Sequence, residues 1–146
     1  LALLFIALLS VAPAGAQSLE KGDLTIVTAK GQSFHFDVEI AKTAAEQERG
    51  LMFRKIMAPD AGMIFPQDSD RTMSFWMKNT LLSLDIIFIA GDGRITHIAP
   101  DAVPLSTATI PSGGPIRAVL ELNADTAANL GIQVGDTVKF PGLGTK

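Results

Sequence analysis

Five polar side chains in this sequence stand in apolar surroundings where they could do chemistry: Arg49, Lys78, Asn79, Asp85 and Glu121. Lys78 and Asn79 follow Phe75-Trp76-Met77 and precede a bend. An ammonium and a carboxamide would therefore emerge at the end of a buried strand, beside the flat wall of Trp76, where they suit a carboxylate, a phosphate or a sugar hydroxyl. The plainer alternative is that Asn79 bonds the backbone of its own turn and Lys78 extends to water. Asp85 interrupts the apolar run Leu84 to Ile89, where an isolated charge is costly unless paired or hydrogen-bonded. Its expected partners are Arg49, Arg54, Lys78 or the backbone from Asn79 to Ser83. A structural ion pair or turn cap is a more natural role for it than that of a catalytic acid. Glu121, between Leu120 and Leu122, is the second acid inside a strand. With Asp85 it would make the carboxylate pair of general acid-base hydrolysis, if the fold brings the two together. Otherwise it faces solvent or pairs with Arg49. The planar fork of Arg49 suits a ligand carboxylate or phosphate, although a cation in the last turn of a helix is also explained by the helix dipole.

Other chemistries find little support. The two histidines, His35 and His97, are far apart and show no His-x-His or His-Glu-x-x-His spacing, so no metal site is expected. Met52, Met63, Met73 and Met77 have the thioethers of a copper(I) site, yet beside aromatic neighbours they read as adaptable core filler. No Gly-rich phosphate loop follows a strand and no Gly-x-Ser-x-Gly occurs. Ser74, Ser83, Ser106 and Ser112 lack a recognisable His and Asp arrangement. No cofactor is expected.

These residues need a scaffold, and the local patterns supply one. Leu24 to Thr28 reads as a strand, Lys30-Gly31-Gln32 as a turn, and Ser33 to Ile40 as a strand with Phe34, Phe36, Val38 and Ile40 on one face. Thr43 with Glu46 is a capping box opening a helix from Ala44 to Arg49. Gly50 suits a left-handed terminator, after which Leu51-Met52-Phe53 is expected to turn back to the core. Met63 to Phe65 reads as a short strand stopped by Pro66, followed by a polar turn from Gln67 to Asp70. Met73 to Lys78 and Leu84 to Ile89 read as strands around a bend, and Gly91-Asp92-Gly93 as a hairpin leading to Arg94 to Ile98. Ala99 to Pro115, rich in proline, is expected to be a structureless functional loop. Ile116 to Leu122 and Thr137 to Phe140 complete the strands, with a short helix capped by Asn123 or Asp125 between them. Many short strands and two short helices predict a mainly β, single-domain β-sandwich or partly open barrel.

The chain has 146 residues, no cysteine and a net charge of −3. Every Lys, Arg, Asp and Glu lies beyond residue 16, without a basic face, which argues against nucleic acid and anionic membrane as partners. The absence of cysteine excludes disulfides, thiolate nucleophiles and sulfur-ligated metals. Residues 1–16, apolar and ending in Ala14-Gly15-Ala16, read as a secretory signal truncated at its start. Its apolar run of about 12 residues is short of the roughly 20 that span a bilayer. The domain expected at 17–146 is therefore placed outside the cytoplasm, periplasmic or secreted.

Six blocks in a fixed order together resemble a known family: Arg49-Gly50-Leu51-Met52-Phe53-Arg54, Gly62-Met63-Ile64-Phe65, Ser74 to Thr80, Leu84 to Phe88, Val119 to Asn123, and Gly131-Ile132 with Gly135-Asp136. They are similar to the domain-of-unknown-function 192 family, also called uncharacterised ACR, from about Thr25 to Phe140. The resemblance implies a compact, mainly β fold in small secreted or membrane-anchored prokaryotic proteins. It brings no catalytic residues. The expected function is a non-enzymatic binding or accessory module for a small polar ligand, glycan or peptide, with Arg49, Trp76, Lys78, Asn79 and Asp85 as its site. A hydrolase or lyase acting on envelope material through Asp85 and Glu121 is the alternative, and a purely structural domain is a third.

Overall fold

Alternating apolar residues bury one face of a strand, and that face must be covered by a second layer or by the same sheet curling over it. The computed structural model, which describes residues 18–144, takes the second course. The apolar leader expected at 1–16 lies outside the described residues. The elements follow in the order β1 (Glu20–Val27), β2 (Ser33–Ile40), α1 (Ala44–Arg49), β3 (Ala61–Arg71), β4 (Ser74–Phe75), β5 (Leu84–Ile89), β6 (Ile95–Ala102), β7 (Ile110–Pro111), β8 (Ile116–Asn123), α2 (Thr126–Leu130) and β9 (Thr137–Lys139).

Seven strands form one sheet in the order β6-β5-β8-β3-β2-β1-β9. All neighbours are antiparallel except β2 and β3, whose parallel pairing requires the crossover that carries α1. At the far edge β9 turns back toward the start of β6. The Val138 N–H donates to the Gly93 carbonyl at 2.7 Å, and the Ile95 N–H donates to that of Asp136 at 2.9 Å. The sheet thus curls into a half-barrel, the partly open barrel of the sequence expectation.

Alternation separates two cores. Leu24, Ile26, Val38, Ile64, Ile87 and Leu120 belong to one apolar cluster, and Met63, Phe65, Leu84, Ile86, Phe88 and Val119 to the other. Every residue of β5 is buried, because the strand is covered on both faces. Fully burying each large aliphatic side chain contributes about 1.5–3 kcal/mol before chain entropy is counted.

Local chemistry explains the helices and the departures from expectation. In α1 the Thr43 hydroxyl accepts from the Glu46 N–H, and Glu46 Oε2 accepts from the N–H groups of Thr43 and Lys42, both at 2.8 Å. Those backbone donors, Thr43 first and Lys42 second, hold the Glu46 carboxyl below its usual range. Gly50 does end the helix, but at φ 45° and ψ −133°, outside the left-handed helical well; only glycine reaches this conformation easily, and a Cβ there would lie 3.3 Å from the Phe65 ring. Phe53, expected in the core, is 57% exposed, because its positive φ of 65° turns it outward. Pro66 does not stop its strand. Lacking an N–H, it sits opposite Ala118 at an irregularity after which pairing resumes at Arg71 with Ile116, so the expected polar turn at Gln67 to Asp70 lies within β3.

The expected strand from Met73 to Lys78 shortens to β4, which pairs only with β7. The Pro-rich segment from Ala99 to Pro115 is more ordered than expected. β6 runs through Pro100 to Ala102, and Ile110 and Pro111 form β7. Pairing partners distant in sequence supplied the order that local composition did not show.

Candidate functional site

Glu121 lies on β8, opposite Met63 of β3 and Ile86 of β5, in the middle of the sheet. The alternation that buries Ile86 and Met63 sends its side chain to the same face, toward a cleft lined by Gln47 to Met52 and by Met73 to Trp76. It is 5% exposed and makes no side-chain hydrogen bond or ion pair among the described residues. No enclosed side-chain oxygen in the described structure lacks a partner, so the carboxyl oxygens retain access to the adjoining cleft. Burial pushes its carboxyl up to about 8, because nothing around it favours the ionised form. At neutral pH Glu121 is therefore mostly a neutral acid.

The cleft above it holds about 200 Å³. Phe65, Met73, Phe75 and Trp76 form much of its wall, and the Gln47 to Met52 segment forms the other side. Phe65 and Phe75 meet edge to face at 5.3 Å between centroids, which fixes the wall behind Glu121. The α1 side is held by polar links: no residue of α1 is buried, and Gln47 Nε2 donates to the carbonyls of Ala41 and Pro66, each at 3.0 Å. A second, shallower hollow of about 280 Å³ continues outward and shares Glu48, Arg49, Met52 and Trp76 with the first. Lys78 and Asn79 stand in this outer part.

At this rim two aromatic rings each carry a cation. Lys78 Nζ lies 5.1 Å from the Trp76 ring centre, and Arg49 Cζ lies 5.7 Å from that of Phe53. Trp76 is 45% exposed, and among the described residues neither Arg49 nor Lys78 is ion-paired. Asn79 adopts φ 54°, which its residue type tolerates, and its carbonyl accepts the Phe53 N–H at 2.8 Å. That bond joins the two halves of the rim. The expected grouping of Arg49, Trp76, Lys78 and Asn79 is therefore present around one hollow.

Asp85 is not part of it. The registers Asp85 with Leu122 and Ile86 with Glu121 put the two acids on opposite faces of the sheet. Asp85 is fully buried, its Oδ1 accepting the Asp101 N–H at 3.1 Å and its Oδ2 the Ala127 N–H at 2.9 Å. None of the expected partners, Arg49, Arg54, Lys78 or the Asn79 to Ser83 backbone, engages it. Arg54 pairs with Glu39 instead. Asp85 caps α2 from across the sheet, which also corrects the expected caps. Asp125 is in the left-handed region without a side-chain cap, and the Asn123 amide donates to the carbonyls of Met57 and Ala58. The Asp85 and Glu121 carboxylate pair has no common face on which to act.

From sequence, Glu121 is expected to pair with Asp85 or Arg49 or to face solvent; it is buried and makes neither pairing, and Phe65, Phe75, Met73 and Thr80 around its cleft were not foreseen. The usable signal was an acid between Leu120 and Leu122; the nearest cation in sequence, Arg117, pairs with Asp70 instead, and what encloses Glu121 depends on long-range pairing. His35 bonds Thr25 at 2.9 Å and His97 stacks on Phe88, and no group of three or more potential His, Cys, Asp or Glu ligands occurs among the described residues.

Comparison with known proteins fits this single-domain architecture. A crystal structure from Sinorhizobium meliloti 1021, provisionally described as a transcription regulator, is 45% identical with a TM-score of 0.86, and the match covers 88% of this chain and all of that one. A protein of unknown function from Novosphingobium aromaticivorans DSM 12444 is 41% identical with a TM-score of 0.81, covering 90% of this chain and 91% of the other. No functionally curated protein matches significantly. The DUF192 profile, described as uncharacterised ACR, matches residues 25–140, and with the six sequence blocks and the half-barrel in place, this chain belongs to that family.

Proposed function

We propose that this chain is a non-enzymatic binding domain acting outside the cytoplasm, which takes one end of a small polar molecule, glycan or peptide into the cleft over Glu121. The observation that carries the reading is Glu121 itself: an acid buried beneath an aromatic cleft, with no side-chain hydrogen-bond partner among the described residues. A buried polar group is ordinarily satisfied from within, and one left open to a concavity awaits a partner from outside. The rim adds recognition, with Trp76 as a platform and Arg49 and Lys78 as cations without an ion pair among the described residues. The extracytoplasmic setting rests on the apolar run of residues 1–16 with its Ala14-Gly15-Ala16 end.

The regulator description attached to the Sinorhizobium structure is not carried over. The net charge of −3 and the acid at the base of the cleft give no electrostatic footprint for nucleic acid. A thermal-shift screen of amines, amino acids, short peptides and oligosaccharides tests the binding reading, followed by titration of any hit against Trp76→Ala and Lys78→Ala. Both positions are exposed, so the variants are expected to fold, with affinity weakened roughly tenfold or more for the loss of an aromatic platform or an unpaired cation. A hit that binds both variants as tightly as the parent would place the site elsewhere.

A further inference from the structure

We propose that the end of the ligand buried in this cleft is an organic ammonium, and that Glu121 binds it as a carboxylate after giving up its proton to solvent. The proposal rests on the binding reading above and names the chemistry of its inner subsite. Three observations point the same way. Glu121 is 5% exposed, and no backbone N–H, hydroxyl or cation of the described residues reaches its carboxyl. A cationic donor entering the cleft would therefore meet an acid with its full acceptor capacity unused. The walls nearest it, Phe65, Phe75 and Trp76, present π surfaces that favour a cation over an anion, and Met52 and Met73 add neutral, polarisable thioethers.

The other charged groups lining the cleft are Glu48 and Arg49 at its α1 side, of opposite sign. The strands on either side place Met63 and Ile86 opposite Glu121, both apolar. Arg49 is the one cation in this lining, and no ion pair joins it to Glu121. The cleft of about 200 Å³ has room for such a head group and a short chain.

Because burial keeps the empty site protonated up to about pH 8, binding a cation must release a proton. The reaction balances: neutral Glu121 plus an alkylammonium gives a carboxylate–ammonium pair and one proton in solvent. Affinity for a permanent cation should then rise about tenfold per pH unit below 8 and level off above it, since only the ionised fraction binds. An anion that uses the neutral acid as a hydrogen-bond donor would show the opposite sign.

Titration of the protein with butylammonium chloride, 1-butanol and sodium butyrate at about pH 6 and about pH 9, followed by Trp76 fluorescence and calorimetry, separates these cases. Butylammonium should bind most tightly, more so at the higher pH, with one proton released per site at the lower. Glu121→Gln, a neutral isostere of the protonated acid, should abolish both its preference over butanol and its pH dependence. Tighter binding of butyrate, weakening above about pH 8, would overturn the ammonium assignment and leave the cleft as a binding site. Equal binding of butanol and butylammonium at both pH values would also overturn it. If none of the three binds, the ammonium assignment falls, while the binding reading is decided separately by the wider thermal-shift screen.

Discussion

Glu121 ties the stability of the whole domain to pH. Its folded-state value of about 8 lies above the ordinary 4.5 because of burial, so over the interval between them the native state holds a proton that the unfolded chain has released. The stabilising contribution of the neutral acid is thus complete below about pH 4.5, declines as pH rises toward 8, and changes little beyond. The expected loss between about pH 5 and 8 is on the order of a few kcal/mol, and Glu121→Gln should remove most of that slope. Urea unfolding of both proteins at the two pH values measures it; parallel pH dependence would mean that Glu121 ionises freely in the native state. Asp85, equally buried, represents the opposite solution. Each of its carboxyl oxygens accepts a backbone N–H and the side chain is fully buried, so it holds structure together out of a ligand's reach.

At the scale of elements, the cleft depends on a helix of six residues that buries none of them. Its position comes from the Thr43–Glu46 capping box, the Gln47 bonds to Ala41 and Pro66, and the unusual backbone of Gly50 against Phe65. Thr43→Ala should cost about 1 kcal/mol, the usual loss for a capping hydroxyl, and loosen the cleft wall before the barrel. Hydrogen exchange should quicken at the amides of 46–50 while those of β5 and β8 stay protected. Equal protection of α1 in the variant would show that the cap is dispensable. The capping box was readable in the sequence because it is a four-residue motif closed by its own side chains. The shortening of β4 and the ordering of β7 were not, because each exists only through the other.

For the whole molecule, closure of the half-barrel passes through Asp136. Its Oδ1 accepts the Ala29 N–H at 2.9 Å and its Oδ2 the Gln133 N–H at 2.7 Å, while its carbonyl accepts from Ile95. One residue therefore joins the end of β1, the turn before β9 and the start of β6. Asp136→Ala leaves two N–H groups without their acceptor and should lower stability by about 2–4 kcal/mol. The urea midpoint measures this, and an unchanged midpoint would mean that closure is maintained by backbone bonds such as Val138 to Gly93 and Ile95 to the carbonyl of residue 136.

Alternation from Ser33 to Ile40, the capped helix, the hairpin at Gly91 to Gly93 and the mainly β class were fixed by the order of residues, because each depends on interactions within a few positions. The same order identified Asp85 and Glu121 as acids in apolar strands, since their immediate neighbours are enough to signal a desolvated carboxyl. Their opposite fates were decided by tertiary register. Pairing Asp85 with Leu122 and Ile86 with Glu121 turns one acid toward the backbone of α2 and the other toward an aromatic cleft. Successive residues of a strand point to opposite faces, so a shift of one position between β5 and β8 would have put both acids on the same face. That choice belongs to the contact between β5 and β8, more than thirty residues apart in sequence, and is not contained in either segment alone.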